Sequence, residues 1–326
     1  MPQVVALLVF GWAATLTSAA TATVQIRKFT NVELLPAPPA VKGAGFTNAH
    51  RIGWAAIGAG SLLVASLSSG DTASAAGQVF MLASTVGGFL AGSAAPAAVQ
   101  RVVHPLIACA AAANAAAMLL GAISGVGWEA VLRAYLTKGK GGAALGAGDA
   151  LMAFLNSVIL SFGFRVFAQR ALLKRHFAEI TGCVLSTSVF GMAFTAVAGQ
   201  AAGLPPGLSL ALAPRSVTVA LALPIAALLG AANDASVTAS TVVLTGLIGA
   251  NFAQPLLTAL GFRDPIVRGL ATAASAHGLG TAALAAKEPE ALPVAALAYA
   301  TMGIISSLLV ALPQFRALIA MLAGAA

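Results

Sequence analysis

Apolar residues run along this chain in long blocks, and polar residues collect in short gaps between them. The blocks do not alternate with a period of two. Most approach the roughly 20 residues that a helix needs to cross a bilayer. The pattern predicts helices over residues 3–24, 52–69, 78–95, 102–123, 150–167, 180–201, 207–229, 236–260, 268–286 and 291–312. Several of these are short or interrupted. Residues 313–326, opening with Pro313 and Arg316, read as a terminal segment at the membrane interface. Two gaps are long. Residues 31–48, NVELLPAPPAVKGAGFTN, are rich in proline and glycine and have no apolar period, so they read as a linker. Residues 125–148 contain GKGGAALGAG and read the same way. The first linker divides a single N-terminal span, 1–30, from a body at 49–326.

Composition turns this pattern into a class. Hydrophobic residues make up 59% of the 326 and charged residues 8%. A soluble domain carries about 25% charged residues. Mean hydropathy is +0.94. So few charges cannot cover a soluble surface. The fold class is all-α: a polytopic membrane protein of about ten hydrophobic segments. The 34 glycines suit close helix contact in lipid. Blocks of helical length exclude an outer-membrane barrel, whose strands are about half as long. The start, MPQVVALLVFGWAATLTSAATA, resembles a signal peptide but has no basic stretch before its apolar run, and Arg27 and Lys28 follow it. It reads as a membrane helix with a basic flank. No Arg/Ser-rich transit peptide is seen, so entry into an organelle would imply a processed or truncated start.

Charge then sets topology. The net charge is +8, but the basic residues fall in short loops, where they orient helices and do not suggest nucleic acid. Loop 25–51 carries Arg27, Lys28, Lys42 and Arg51. Loop 96–104 carries Arg101, and loop 165–179 carries Arg165, Arg170, Lys174, Arg175 and His176. Even numbers of spans separate them, so they share a side. Loop 70–77, on the other side, has only Asp71. Loop 125–148, with Arg133, Lys138 and Lys140 against Glu129, disagrees mildly. In the C-terminal half the count depends on 207–229. If it crosses, Arg263 and Arg268 fall outside and Lys287, Glu288 and Glu290 inside. If it dips in and returns, both assignments invert. One segment there is therefore expected to be broken or re-entrant.

Seventeen Lys and Arg residues are present, and all but Arg215 sit in loops or at span ends. Arg215 lies within LSLALAPRSVTVALALPIAALL, residues 208–229, between Pro214 and Pro224. Proline breaks a helix by removing a donor and clashing with the preceding turn. A charge near mid-membrane costs about 2.5–3.5 kcal/mol on insertion scales. Arg215 therefore either holds an anion, with Ser216 and Thr218 adding hydroxyls and a helix N-terminus its dipole, or snorkels to the interface. His277 is the second case, in ASAHGLGTAAL. Gly278 and Gly280 weaken the helix there and permit an unwound turn. Ser275 and Thr281 flank it. His277 reads either as a proton carrier or as a packed neutral ring bridging helices. Two interrupted segments, 208–229 and 268–286, point to a transport site at the bilayer midplane. Asn251 reads as helix glue or as a lining group.

The remaining polar residues are plainer. Asp149 and Asp264 read as helix N-caps, and Lys287–Glu290 as a solvated turn. Cys109 and Cys183 stand in apolar runs without a Cys/His cluster, so neither a metal nor a disulfide framework is expected. No nucleotide loop or hydrolase motif is present, and neither an enzyme nor a cofactor is expected.

The same stretches carry a family resemblance. APRSVTVALALPIAALL, TVVLTGLIGANF and GFRDPIVRGLATAASAHGLGTAAL resemble the LrgB/CidB membrane family from about residue 145 onward. GAGDALMAFLNSVILSFGFRVFAQRALLKRH and AAKEPEALPVAALAYATMGI are similar to its plastid branch, the glycolate/glycerate translocators. The resemblance implies a secondary carrier in the chloroplast inner envelope, exporting glycolate and importing glycerate in photorespiration. It also implies that the span at 1–30 is what remains of an LrgA-like half. Bacterial members imply one alternative, a holin-like, murein-hydrolase-regulating pore in a plasma membrane; a carrier of other monocarboxylates such as pyruvate or acetate is the third reading. The partners so implied are small carboxylates and the bilayer, with a proton as candidate coupling ion and self-association into a homo-oligomer left open. An inverted repeat is compatible with the pattern. The expected substrate-binding set is Arg215, Ser216, Thr218, Asn251, Ser275, His277, Gly278, Gly280 and Thr281.

Overall fold

The computed structural model of the chain describes residues 2–30, 32–33, 45–100, 103–137 and 145–325. Most of the Pro-rich linker, the GKGGAAL stretch, and the basic residues Lys42, Arg101, Lys138 and Lys140 lie outside the described residues. Among the described residues every regular element is helical. The α-helices are α1 (Pro2–Thr30), α2 (Asn48–Leu67), α3 (Gly70–Ala94), α4 (Ala97–Gln100), α5 (Pro105–Ser124), α6 (Trp128–Tyr135), α7 (Ala147–Ala153) and α8 (Leu155–Ala168). They continue with α9 (Arg170–Arg175), α10 (Phe177–Ala201), α11 (Pro206–Leu212), α12 (Val219–Leu228), α13 (Ala235–Ala259), α14 (Pro265–Lys287), α15 (Leu292–Ala311) and α16 (Pro313–Leu322).

Six helical stretches among the described residues are long and apolar enough to cross a membrane: Pro2–Thr30, Gly70–Ala94, Pro105–Ser124, Phe177–Ala201, Ala232–Ala259 and Pro289–Ala311. The other four segments of the hydrophobic pattern differ for local reasons. Segment 52–69 forms α2, which has the length but carries His50, Arg51 and several glycines and serines. Segment 150–167 is divided at Phe154 into α7 and α8. Segments 207–229 and 268–286 both leave helical geometry near their middles.

The chain forms two compact units. One comprises Val41–Asn156. Here α3 packs against both α2 and α5. Gly88 and Gly92 bring α3 onto the α5 backbone: a β-carbon at Gly88 would stand 2.5 Å from Ala112 Cβ, and one at Gly92 would stand 2.8 Å from Pro105 Cα. Small residues thus set the approach, as expected of helices in lipid. Asp149 is not the N-cap expected of it. Gly146 takes that place, and Asp149 works from the third helical position, where its carboxylate accepts from the Gly146 and Thr137 amides.

The other unit joins α1 to the chain from Ser157 onward. Its core is built where α1 (Trp12, Leu16, Ala19) meets α10 (Ile180, Cys183, Val184), α13 and α14. Polar pairs hold the end of this core. Arg27 Nε donates to Asp264 Oδ2 at 2.7 Å, and Arg27 Nη1 lies 3.8 Å from Glu179 Oε1. Asp264 also caps α14, accepting from the Ile266 amide at 2.8 Å, as its Asp-Pro sequence predicts.

Two segments of this unit fold back on themselves. A straight helix of 20 residues is about 30 Å long. Yet the two ends of the segment from α11 through α12 meet: a β-carbon at Gly207 would lie 3.6 Å from Asp234 Oδ2, and Thr238 Oγ1 donates to the Ala211 carbonyl at 3.0 Å. The reversal occupies the turns between Ala213 and Val217, where Pro214 cannot continue the helix. In α14 the reversal is at Ala276 (φ −136°, ψ 17°) and His277 (φ 42°, ψ −142°). His277 is the one non-glycine at positive φ among the described residues, a conformation that costs an L residue strain. Arg268 and Glu288, twenty residues apart, form a two-pronged ion pair, with Nε–Oε2 at 2.8 Å. Gly280 packs on Thr272.

The second pair corrects two expectations. Glu288 is half-buried and paired, and Lys287 donates to the Ala250 carbonyl, so 287–290 is not simply a solvated turn. Arg268 and Glu288 also cannot lie on opposite sides of a membrane, as either alternative of the charge count required. The hairpins leave from opposite ends of α13. The first abuts Thr238 near its start; the second is tied to Gln254 and Thr258 near its end.

Candidate functional site

The first reversal places Arg215 inside the unit. The side chain has no exposed surface. Its Nη2 donates to Thr15 Oγ1 on α1 at 2.9 Å, and its Nε donates to Thr195 Oγ1 on α10 at 3.2 Å. Each threonine hydroxyl in turn donates to a carbonyl one turn earlier, Gly11 and Gly191 respectively. Both hydroxyls are therefore oriented to accept from the guanidinium. Gly11 supplies the space: a β-carbon there would fall 2.9 Å from Arg215 Nη2. None of the ion pairs among the described residues includes Arg215. Its third nitrogen, Nη1, is buried and has no partner. An unmade bond of that kind costs about 1–3 kcal/mol, more for a charged group, so Nη1 is a donor left open to an acceptor.

Ser216 follows on the same turn. It is buried and its Oγ has no partner. It faces a cavity lined also by Thr187 and Ser188 of α10 and Met302 and Ser306 of α15, in which Ser188 and Ser306 hydroxyls lie 3.0 Å apart. The cavity holds about 10 Å³, room for about one water. Any ligand larger than a water enters this turn only if the hairpin moves from α10 and α15.

The second reversal is packed on α13. The His277 ring is buried, and its Nε2 lies 2.9 Å from the Val242 carbonyl. A carbonyl only accepts, so Nε2 carries the hydrogen. Gly246 and Gly249 are the seat for this turn. β-carbons at these positions would stand 2.6 Å from His277 Nε2 and 2.1 Å from Ala276 Cβ. The spacing of the TGLIGA stretch thus answers directly to the HG break in α14. Ser275 donates to the Thr272 carbonyl and Thr281 to the His277 carbonyl; both are buried. Gly278 lies against the Tyr299 ring, and Gly280 fits beneath Ala276.

Helix α1 touches both reversals within five residues. Gly11 and Thr15 meet Arg215, while Trp12 Nε1 points at Gly249 beside Ala276. The set expected from sequence is thereby divided. Arg215 and Ser216 share one turn; Ser275, His277, Gly278, Gly280 and Thr281 share the other. Thr218 is the N-cap of α12 and is partly exposed, its carbonyl accepting from the Ala222 amide. Asn251 faces outward and donates to the Leu247 carbonyl of its own helix, away from both turns. Sequence reasoning did not single out Thr15, Thr195 and Trp12. The first two look like ordinary helix threonines, and only the buried arginine 20 and 200 residues away gives them meaning.

Comparison with known proteins bears on this geometry. A family model described as LrgB-like matches residues 85–314, which contain both reversals. The chain belongs to the LrgB-like family. This LrgB-like chain is also 47% identical, over 308 residues, to the plastidal glycolate/glycerate translocator 1, chloroplastic, of Arabidopsis thaliana. The match covers 94% of the chain and 60% of that relative, so the LrgB-like chain spans about three-fifths of the relative's length. No solved structure matches.

Proposed function

We propose that the chain is a secondary carrier for small 2-hydroxymonocarboxylates, with glycolate and glycerate as substrates, in the chloroplast inner envelope. The observation that carries this reading is Arg215: fully buried, held by two threonines, without a carboxylate partner, and with one nitrogen still lacking an acceptor. A single guanidinium suits a single carboxylate, and charge-assisted bonds make it the strongest donor available. The name of the Arabidopsis relative, a glycolate/glycerate translocator, supplies the substrate class.

Two finer proposals follow from the reversals. The segments 208–229 and 268–286 are re-entrant hairpins that enter the bilayer from opposite faces. Their supports are the paired ends of each hairpin and their attachment to opposite ends of α13. The pairs α10 with the first hairpin and α13 with the second then form an inverted repeat. Alternating access arises as one hairpin and then the other lifts from the spans it packs on. The face carrying Arg27, Arg175, Arg263 and Arg268 is the inner one by the positive-inside rule. His277 would carry a coupling proton; a His277→Gln variant with full rate and an unaltered pH profile of uptake would dismiss that role.

The test of the main proposal is exchange in proteoliposomes loaded with glycerate, with labelled glycolate outside. Saturable uptake that requires internal glycerate is expected. Arg215→Ala should weaken half-saturation by about 10- to 100-fold, the equivalent of the about 1.5–3 kcal/mol of a charged hydrogen bond, while the protein still inserts. Passage of unrelated solutes of the same size at the same rate would replace the carrier with a pore.

A further inference from the structure

Arg215 Nη1 is not the only donor that the fold buries without an acceptor. Trp12 is 3% exposed, and its indole Nε1 has no partner. That nitrogen faces the second hairpin: a β-carbon on Gly249 would lie 3.1 Å from it and 2.1 Å from Ala276 Cβ. The residue before it, Gly11, is the one on which the Arg215 guanidinium rests. Buried tryptophan N–H groups normally find a partner, and one left without carries a desolvation cost. Thr245 stands one turn before Gly249 on α13, and its Oγ1 is likewise buried and unpartnered. Neighbouring residues of α1 therefore face the two reversals, Trp12 with an unpartnered indole donor at one and Gly11 against the arginine with an unpartnered nitrogen at the other.

We propose that Trp12 contacts the substrate, its Nε1–H donating to the 2-hydroxyl oxygen of the acid whose carboxylate Arg215 holds. The proposal rests on the carrier reading above. Charge settles the first half: the carboxylate takes the guanidinium. A 2-hydroxy acid then carries its remaining acceptor on the adjacent carbon, and Trp12 is the donor that α1 places next along. A site that bonds a substrate hydroxyl discriminates against the analogue lacking it, because the site's own polar group is left unpaired. Trp12 thereby sets the preference for hydroxy acids over simple ones, and α1 is a working part of the site.

Trp12→Phe keeps a ring in place and removes the N–H. Half-saturation for glycolate in proteoliposome exchange is compared with inhibition by acetate, which has the carboxylate and no hydroxyl. The variant should weaken glycolate about five- to tenfold and leave acetate within about twofold, in line with one lost hydrogen bond. Equal weakening of both, or no change in either, overturns the proposal and leaves Trp12 a packing residue. A second variant, Trp54→Phe with Trp128→Phe, leaves Trp12 as the one tryptophan of the chain's three. Glycolate should shift its emission saturably and acetate should not; an emission unmoved by glycolate also overturns the assignment. Failure of the carrier reading looks different: the unaltered protein itself would show no saturable glycolate exchange.

Discussion

Gly249→Ala adds one methyl group at the place where the second hairpin turns. The new Cβ would stand 2.1 Å from Ala276 Cβ, where ordinary contact begins near 3.4 Å. Neither atom belongs to a flexible side chain. Relief requires the turn to move by about 1.3 Å, the difference of those two distances. A shift of that size would pull on the His277–Val242 hydrogen bond of 2.9 Å and on the contact between Gly249 and Trp12. Overpacking of a close-fitted interior costs about 1–3 kcal/mol, and here the strain falls on Ala276, directly before the positive-φ residue His277.

The expected result is a lower thermal midpoint in detergent and a larger loss of glycolate exchange than of stability, because the displaced turn carries His277. The control is Gly249→Ala combined with Ala276→Gly, which removes the opposing methyl. That double variant should recover most of the midpoint and part of the exchange. A single Gly249→Ala variant with unaltered midpoint and exchange would show that the turn is not seated on α13, and the hairpin account would fail with it.

Two further predictions concern the end of the unit where α1, α10 and α14 meet. Glu288→Gln leaves Arg268 without its partner in a largely covered position, and should lower the thermal midpoint, by less than the about 3–5 kcal/mol that breaking a fully buried pair costs. Arg268→Met with Glu288→Leu should recover most of it; a midpoint unaffected by Glu288→Gln would mean that other contacts hold the hairpin's legs together. His176 is buried just before α10, with no hydrogen-bond partner on either ring nitrogen and Glu179 Oε1 3.9 Å away. Burial pushes its pKa below the usual value of 6.5, the opposing pull of Glu179 being smaller and Arg175 and Arg27 adding to the lowering. The unfolded chain then takes up a proton that the folded chain refuses, so stability falls as pH drops below about 6.5 and levels off beneath the folded pKa. His176→Leu should flatten the thermal midpoint between pH 7.5 and 5.5; a slope unaltered by that substitution would place the titrating group elsewhere.

How much of this was legible in the chain follows from what each signal reports. The apolar blocks located helices well, because burial in lipid acts on every residue of a span. They could not tell a straight helix from one that folds back. A hairpin of two short helices has the same apolar length as one long helix, and only contacts between its ends separate them. Charge came nearer. The count turned on 207–229, but both of its alternatives put Arg268 and Glu288 on opposite sides because 268–286 was counted as a crossing. Their ion pair removes that separation, and Arg27 beside Asp264 places the basic end of α1 at the start of α14. The prolines and glycines marked both reversals, since they report backbone geometry locally. The partners Thr15, Thr195, Gly246 and Gly249 stayed hidden for the opposite reason: a small residue on a helix reveals nothing until the group that needs its space or its hydroxyl is known. Arg215 is the link between these levels. A cation with no acid beside it is unreasonable as packing alone, and two threonines fixed to accept from it are unreasonable as accident. Together with an arginine nitrogen left unbonded, they are the reason an anionic substrate is proposed at this turn.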